Sequence, residues 1–190
     1  MNMKRILMLL TVLLMAIPAF SQEKELSKKE QKKLQKELKK EQKAEEAAKK
    51  AAVIGLMVEY RRFVLEADRL RDKRGHTVNV SSMINFIAAD SINGVIQIGS
   101  QHYAGLNGVG GITVDGPISN YKFTFTEKSG SYSVSYNVRT STGTYDVRMT
   151  AYSDGRADAT VSSTWPGRVS YSGYLVPPVR SKVYKGTSTY

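Results

Sequence analysis

Two histidines, His76 and His102, are the first residues whose chemistry could define a site in this sequence. Imidazole ligates metals and moves protons near neutral pH. No cysteine accompanies them, and neither stands in a spaced carboxylate motif, so two ordinary surface histidines are the simpler account. A Ser–His–Asp triad is combinatorially open among the many serines, but no strand–turn–helix elbow is present to sharpen a nucleophile. Glu66, Asp68 and Asp115 would cleave a glycoside only as a pair at a defined separation, and salt bridging is the ordinary use of such carboxylates. The residues therefore support no catalytic group, no metal site and no cofactor, and the chain reads as a non-enzyme.

Binding chemistry has more to work with. Residues 99–111 form the longest irregular stretch and hold His102, Tyr103 and Asn107 among five glycines. A phosphate-cradling glycine loop opens a helix, whereas this one runs into Ile112, Thr113 and Val114, a strand pattern, and lacks a Gly-Lys-Ser/Thr ending. Its glycines are expected to take positive φ or to let backbone pass close to a neighbour; a lid over a ligand is the alternative. Arg139, Arg148, Tyr152, Arg156 and Tyr174 fall on the polar side of their strands. If those strands are neighbours, they form a basic–aromatic patch suited to anionic glycans or lipid headgroups; an ordinary mixed β surface is the plainer reading. Asp90, Ser91 and Ile92 make an Asp-Ser-apolar triplet at an expected hairpin tip, with Ser91 a candidate for glycosylation.

The elements that must position these residues are mostly strands. From Phe63 onward the apolar residues recur with period two: Phe63, Leu65 and Ala67; Val78 and Val80; Tyr121, Phe123 and Phe125; Tyr132, Val134, Tyr136 and Val138; Tyr145, Val147, Met149 and Ala151; Val169, Tyr171, Gly173 and Leu175. That is the pattern of half-buried antiparallel strands. Turn signals separate them at 72–75, Asn93-Gly94, Ser129-Gly130, Thr142-Gly143, Asp154-Gly155 and Pro166-Gly167. About eight or nine strands at short spacing, with no intervening helix, predict a mainly β domain over 53–190, a meander closing into a single antiparallel β-barrel or a sandwich. In a small barrel, large inward side chains such as Tyr132, Tyr136, Tyr145 and Tyr171 count against a roomy cavity. A bilayer-spanning barrel needs strands of roughly 9–11 residues, longer than many of these.

Residues 22–52 form a charged arm, nearly all Lys, Glu, Gln and Ala, which are good helix formers. Acidic residues stand three or four places before basic ones, as in Glu45 with Lys49 and Glu46 with Lys50, and each such pair adds roughly 0.2–0.5 kcal/mol to a helix. Leu26, Leu34 and Leu38 are too sparse for a heptad seam, so a solvated helix or spacer is expected. Residues 53–60 turn apolar around Gly55, as the last helical turns docking on the domain or as the run-in to its first strand. Ahead of the arm, residues 1–21 carry Lys4 and Arg5, an apolar run, Pro18, and small residues Ala19 and Ser21. This predicts a signal peptide cleaved after Ser21. Its apolar run falls short of the roughly 20 residues of a spanning helix, so the mature chain is expected to have none. The chain carries 28 Lys and Arg against 17 Asp and Glu, a net charge of +11, which becomes +9 without Lys4 and Arg5. Such a charge favours anionic partners without naming one.

Several stretches resemble the bacterial family catalogued as domain of unknown function 4251. They are FVLEADRL at 63–70, RG at 74–75 leading into TVNV at 77–80, NF at 85–86, NGVGGITVDG at 107–116, GYLVP at 173–177 and SKVYKG at 181–186. The resemblance covers roughly 53–186; residues 101–106 and the arm fit it less well. It implies an exported protein of Gram-negative bacteria with a small lipocalin-like β-barrel, and it transfers no activity or catalytic residue.

The expectation is thus an exported protein of the periplasm, the outer-membrane surface or the extracellular space, acting as a non-catalytic binding module for an apolar or anionic envelope ligand. The alternatives are a structural or interaction module with the arm as spacer, or an inhibitor of a foreign hydrolase. Nucleic acid is not an expected partner.

Overall fold

A computed structural model describes residues 27–100, 102, 105, 107–141, 143–163 and 167–189. The expected leader at 1–21 lies outside the described residues, as do Tyr103, Thr142 and Pro166. The chain divides into two compact units, Met1–Ala44 and Glu45–Tyr190. The described part of the first is helical from Lys28, with every side chain exposed.

The helix, α1 (Lys28–Glu59), starts at a capping box. The Ser27 Oγ accepts from the Lys29 N–H at 3.3 Å, and the Ser27 N–H donates to the Glu30 carboxylate at 3.0 Å, which satisfies donors that a helix start leaves open. Through Lys50 the side chains stay in solvent. Within the second unit the last turns carry Ile54, Met57 and Val58 on one stripe, all buried in the core, as the three-and-four spacing of a packed helix face requires. Gly55 sits where a Cβ would stand 2.7 Å from the Tyr132 hydroxyl. The Tyr121 hydroxyl donates to the Val58 carbonyl at 2.6 Å, and Arg61, at φ 56°, ends the helix with its guanidinium 5.0 Å from the centre of the Tyr121 ring.

Nine strands follow: β1 (Arg62–Asp72), β2 (Thr77–Asn79), β3 (Phe86–Asp90), β4 (Asn93–Ile98), β5 (Ile112–Thr126), β6 (Ser131–Thr140), β7 (Gly143–Tyr152), β8 (Arg156–Ser163) and β9 (Arg168–Val176). All pairings are antiparallel, in the order β2-β1-β3-β4-β5-β6-β7-β8-β9, and β9 returns to pair with β1. Eight strands therefore close a barrel and β2 is an extra strand on β1. The expected mainly β fold with a charged N-terminal helix is present, and the barrel displaces the sandwich. Phe63, Leu65, Ala67, Val134, Tyr136, Val138, Val147, Met149, Ala151 and Tyr171 fill one core with the helix end, the face that the period-two pattern marked.

Three details differ from the sequence reading. The β3–β4 hairpin turns at Ser91 and Ile92, not at Asn93-Gly94. The Asp90 carboxylate accepts from the Ile92 and Asn93 N–H groups at 3.2 and 2.7 Å, and Ser91 takes the positive φ of 82°. Gly94 lies within β4, where a Cβ would stand 2.7 Å from Val138. Val78 is 56 % exposed, because β2 has only β1 for a neighbour. Phe123 and Phe125 are 44 % and 48 % exposed, because β4 pairs with β5 only over Ile112 to Pro117 and leaves the second half of β5 with β6 alone.

After β9 a short 3-10 turn, η1 (Pro178–Arg180), leads into the C-terminal tail. The tail is bonded across the outside of the barrel: Tyr184 N–H to the Met83 carbonyl at 2.7 Å, Thr187 N–H to Asn107 at 3.0 Å and Thr189 N–H to Thr113 at 2.9 Å.

Candidate functional site

The interior is not full. At one end of the barrel a cavity of about 430 Å³ is lined by Ile96, Ile98, Ile112, Val114, Tyr145, Val161, Val169 and Tyr171 among others. Five strands converge on it, and each contributes residues of the inward parity. Tyr145 and Tyr171 form part of its wall rather than filling it. The Tyr171 hydroxyl donates to the Gln97 carbonyl at 3.4 Å, and burial pushes its ionisation above the usual range. Tyr132 and Tyr136 lie elsewhere, packed against the aromatic residues of β5: Tyr136 stacks on Tyr121 at 5.7 Å and Tyr132 lies tilted against Phe125 at 4.8 Å between ring centres.

The expected basic–aromatic patch is split. Strands β7, β8 and β9 are neighbours, and Tyr152, Arg156 and Tyr174 meet around a depression of about 310 Å³ with Asp68 and Arg69. The Arg156 guanidinium lies 5.8 Å from the centre of the Tyr152 ring and bonds the Asp154 carboxylate at 2.6 Å. That bond and the Asp154 charge raise the Arg156 pKa. At Asp154 burial opposes ionisation, but the hydrogen bonds from Arg156 and the charges of Arg156 and Lys50 outweigh it and hold the carboxyl below its ordinary value. Arg148 stands farther along β7 in an adjoining, larger depression of about 930 Å³. Arg139 pairs with Thr144 toward the opposite end of β6 and joins neither group.

The glycine-rich loop is a packing device. Gly105, Gly108 and Gly110 take positive φ, and at Gly111 a Cβ would fall 2.1 Å from the Ile98 carbonyl oxygen. Asn107 is 1 % exposed. Its amide donates to Thr113 Oγ1 and its side-chain oxygen accepts from the Val109 and Gly111 N–H groups, all at 3.1 Å. Asn107 therefore shapes the loop from within, while His102 is exposed; Tyr103 lies outside the described residues. Ser91 is partly buried, and its hydroxyl donates to the Tyr60 carbonyl at 3.0 Å.

The remaining candidates are held by neighbours. His76 bonds Asp72 at 3.1 Å in the exposed β1–β2 turn. Glu66 accepts from the Ser181 hydroxyl at 2.7 Å and the Lys182 N–H at 3.2 Å, and Asp115 pairs with Lys185. Among the described residues no three His, Asp or Glu side chains are grouped to hold a metal, and no helix is long and apolar enough to cross a membrane.

Sequence reasoning missed the cavity residues on β4 and the first half of β5. The alternation of Ile96 and Ile98 with Gln97, and of Ile112 and Val114 with Thr113, was the available signal. It also missed Gln97 and Thr113, which are 0 % exposed; both lie on the outer parity, where polar residues ordinarily meet water, and the tail covers them.

The chain matches the family model described as Domain of unknown function (DUF4251) over residues 42–175. Among solved structures it is similar to a DUF4251 family protein from Bacteroides eggerthii DSM 20697, with 27 % identity and a TM-score of 0.58, over 71 % of this chain and 90 % of that one. No curated protein matches.

Proposed function

Because this chain belongs to the DUF4251 family, whose description assigns no activity, we propose from its geometry that it is a non-catalytic binding module holding a small apolar or amphiphilic molecule in the end cavity of the barrel. The carrying observation is the cavity of about 430 Å³ walled by Ile96, Ile98, Ile112, Val114, Val161 and Val169. Eight-stranded barrels either fill with side chains or hold one small ligand, and ligand pockets run from about 300 to 1,000 Å³ with mostly apolar walls. The Tyr171 hydroxyl supplies one polar contact beside an apolar body. The leader pattern of residues 1–21 supports action outside the cytoplasm, in the cell envelope.

The test is binding of N-phenyl-1-naphthylamine, an uncharged apolar fluorophore. Saturable fluorescence enhancement is expected, and Val161→Phe, which places a ring in the cavity, removes it while leaving the melting temperature within a few degrees. No saturable signal from the unsubstituted protein, or an unchanged signal in a folded Val161→Phe protein, overturns the reading.

A further inference from the structure

We propose that the polar face of the sheet, on the side opposite the core and centred on Arg71, Lys122 and Arg148, is a binding groove for an extended acidic glycan. This site is independent of the apolar cavity.

The strand register lines up two cross-strand rows. The first runs Lys122, Ser135, Arg148, Thr160, Ser170, Arg71 and Thr77, each opposite the next on adjacent strands. The second runs Thr124, Ser133, Thr150, Asp158, Ser172 and Arg69. Residues of the opposite parity, Val134, Met149, Ala159 and Tyr171, are buried in the core. All the residues of both rows line one depression of about 930 Å³. With neighbouring strands about 4.8 Å apart, the first row is roughly 29 Å long measured along the curved sheet, and its cations recur along it at intervals of roughly 10 and 14 Å with hydroxyls between them.

Positive charge is in excess on the rows. Arg69, Arg71, Lys122 and Arg148 form no ion pair with any described carboxylate. The one acid on the rows, Asp158, accepts from the Ser172 hydroxyl at 2.6 Å. With four cations against one carboxylate, this face attracts anionic partners.

The lining favours a glycan over other polyanions. Serine and threonine hydroxyls both donate and accept, which matches sugar hydroxyls. An extended peptide is ordinarily captured by a free strand edge, but most of these residues lie on strands bonded on both sides. Single-stranded nucleic acid requires a series of stacking platforms, and the rows themselves contain no aromatic side chain. At one end the groove shares Arg69, Asp158 and Ser172 with the depression of Tyr152 and Tyr174, where an aromatic face is available to the apolar side of one pyranose.

The experiment measures binding of polygalacturonate chains of defined length to the full mature protein, with neutral dextran, poly-glutamate and single-stranded DNA alongside. Two triple variants remove equal charge: Arg71→Gln with Lys122→Gln and Arg148→Gln in the groove, and Lys32→Gln with Lys36→Gln and Lys40→Gln on the exposed helix. The expected result is polygalacturonate binding that falls at least tenfold in the groove variant and less than twofold in the helix variant, with no dextran binding. If the groove triple lowers the melting temperature, Arg148→Gln alone replaces it, with a loss of at least threefold expected. Equal losses in both variants, poly-glutamate or DNA binding as tight as polygalacturonate, or no polygalacturonate binding overturns the proposal.

Discussion

The side-chain oxygen of Gln97 accepts a hydrogen bond at 2.8 Å from the backbone N–H of Gly186, 89 residues later. The same oxygen accepts from Thr113 Oγ1 at 3.0 Å, and the Gln97 amide donates to the Ile84 and Tyr184 carbonyls at 3.1 and 2.9 Å. All four bonding positions of a fully buried amide are therefore used. Replacing Gln97 with Leu keeps the bulk and leaves the Gly186 N–H and the Ile84 and Tyr184 carbonyls unpaired, each carrying a desolvation cost of about 1–3 kcal/mol when no partner replaces it, while Thr113 Oγ1 keeps its bond from the Asn107 amide. Gln97→Leu is expected to cost about 3 kcal/mol overall, read from urea unfolding, and to make the chain beyond Val176 sensitive to limited proteolysis.

The seam that closes the barrel has its own weak point. Gly173 on β9 lies opposite Ala67 beside the register shift between Ala67 and Arg69. A Cβ there would stand 2.0 Å from the Glu66 carbonyl oxygen, and backbone cannot step aside as a flexible side chain does. Gly173→Ala is expected to cost about 3 kcal/mol, the upper end of overpacking penalties. Gly173 does not take a positive φ, so the loss is the clash itself; Gly75→Ala, with a φ of 91° and nothing within 4 Å, is expected to lower the thermal midpoint less.

Tyr136 predicts a gain. Its ring packs against Phe63 and Tyr121 at 6.3 and 5.7 Å between centres, but its buried hydroxyl has no hydrogen-bond partner among the described residues. A polar atom buried without a partner destabilises by about 1–3 kcal/mol. Tyr136→Phe keeps the ring contacts and removes that atom, so it is expected to stabilise by about 1 kcal/mol. A loss of stability would show that the hydroxyl has a partner in solution.

Much of this architecture was legible. The alternation in β1, β6, β7 and β9 marked the inward residues, because a side chain's face in a strand follows from parity alone. The Ser27-Lys-Lys-Glu30 capping box was equally readable and went unread. What parity does not carry is closure. The exposure of Phe123 and Phe125 depends on where β4 stops pairing with β5. Burial of Gln97 depends on a tail that joins from far along the chain. The candidate sites were less legible for the same reason: Arg139 and Arg148 share a polar face, yet register puts them at different levels of the sheet, and Arg69, Arg71 and Lys122 join Arg148 only through pairings that composition does not disclose.

The buried phenols fix the alkaline limit of the fold. Burial raises the ionisation of Tyr121, Tyr136 and Tyr171, with the nearby Tyr121 adding to the shift at Tyr136 and the Arg61 charge partly offsetting it at Tyr121. A tyrosine whose folded pKa lies above its unfolded value contributes stability that is complete below that unfolded value, about 10. Above it the unfolded chain releases protons that the folded chain retains. Each of the fully buried phenols, Tyr136 and Tyr171, then lowers stability by about 1.4 kcal/mol per pH unit. Near-ultraviolet phenolate absorbance from Tyr121, Tyr136 and Tyr171 is expected in a late class, one that coincides with loss of the near-ultraviolet circular dichroism. Replacing Tyr136 and Tyr171 with Phe removes two tyrosines from the late class and moves the alkaline transition to higher pH. Ionisation of Tyr121, Tyr136 and Tyr171 with the fold intact would mean that water reaches the barrel core.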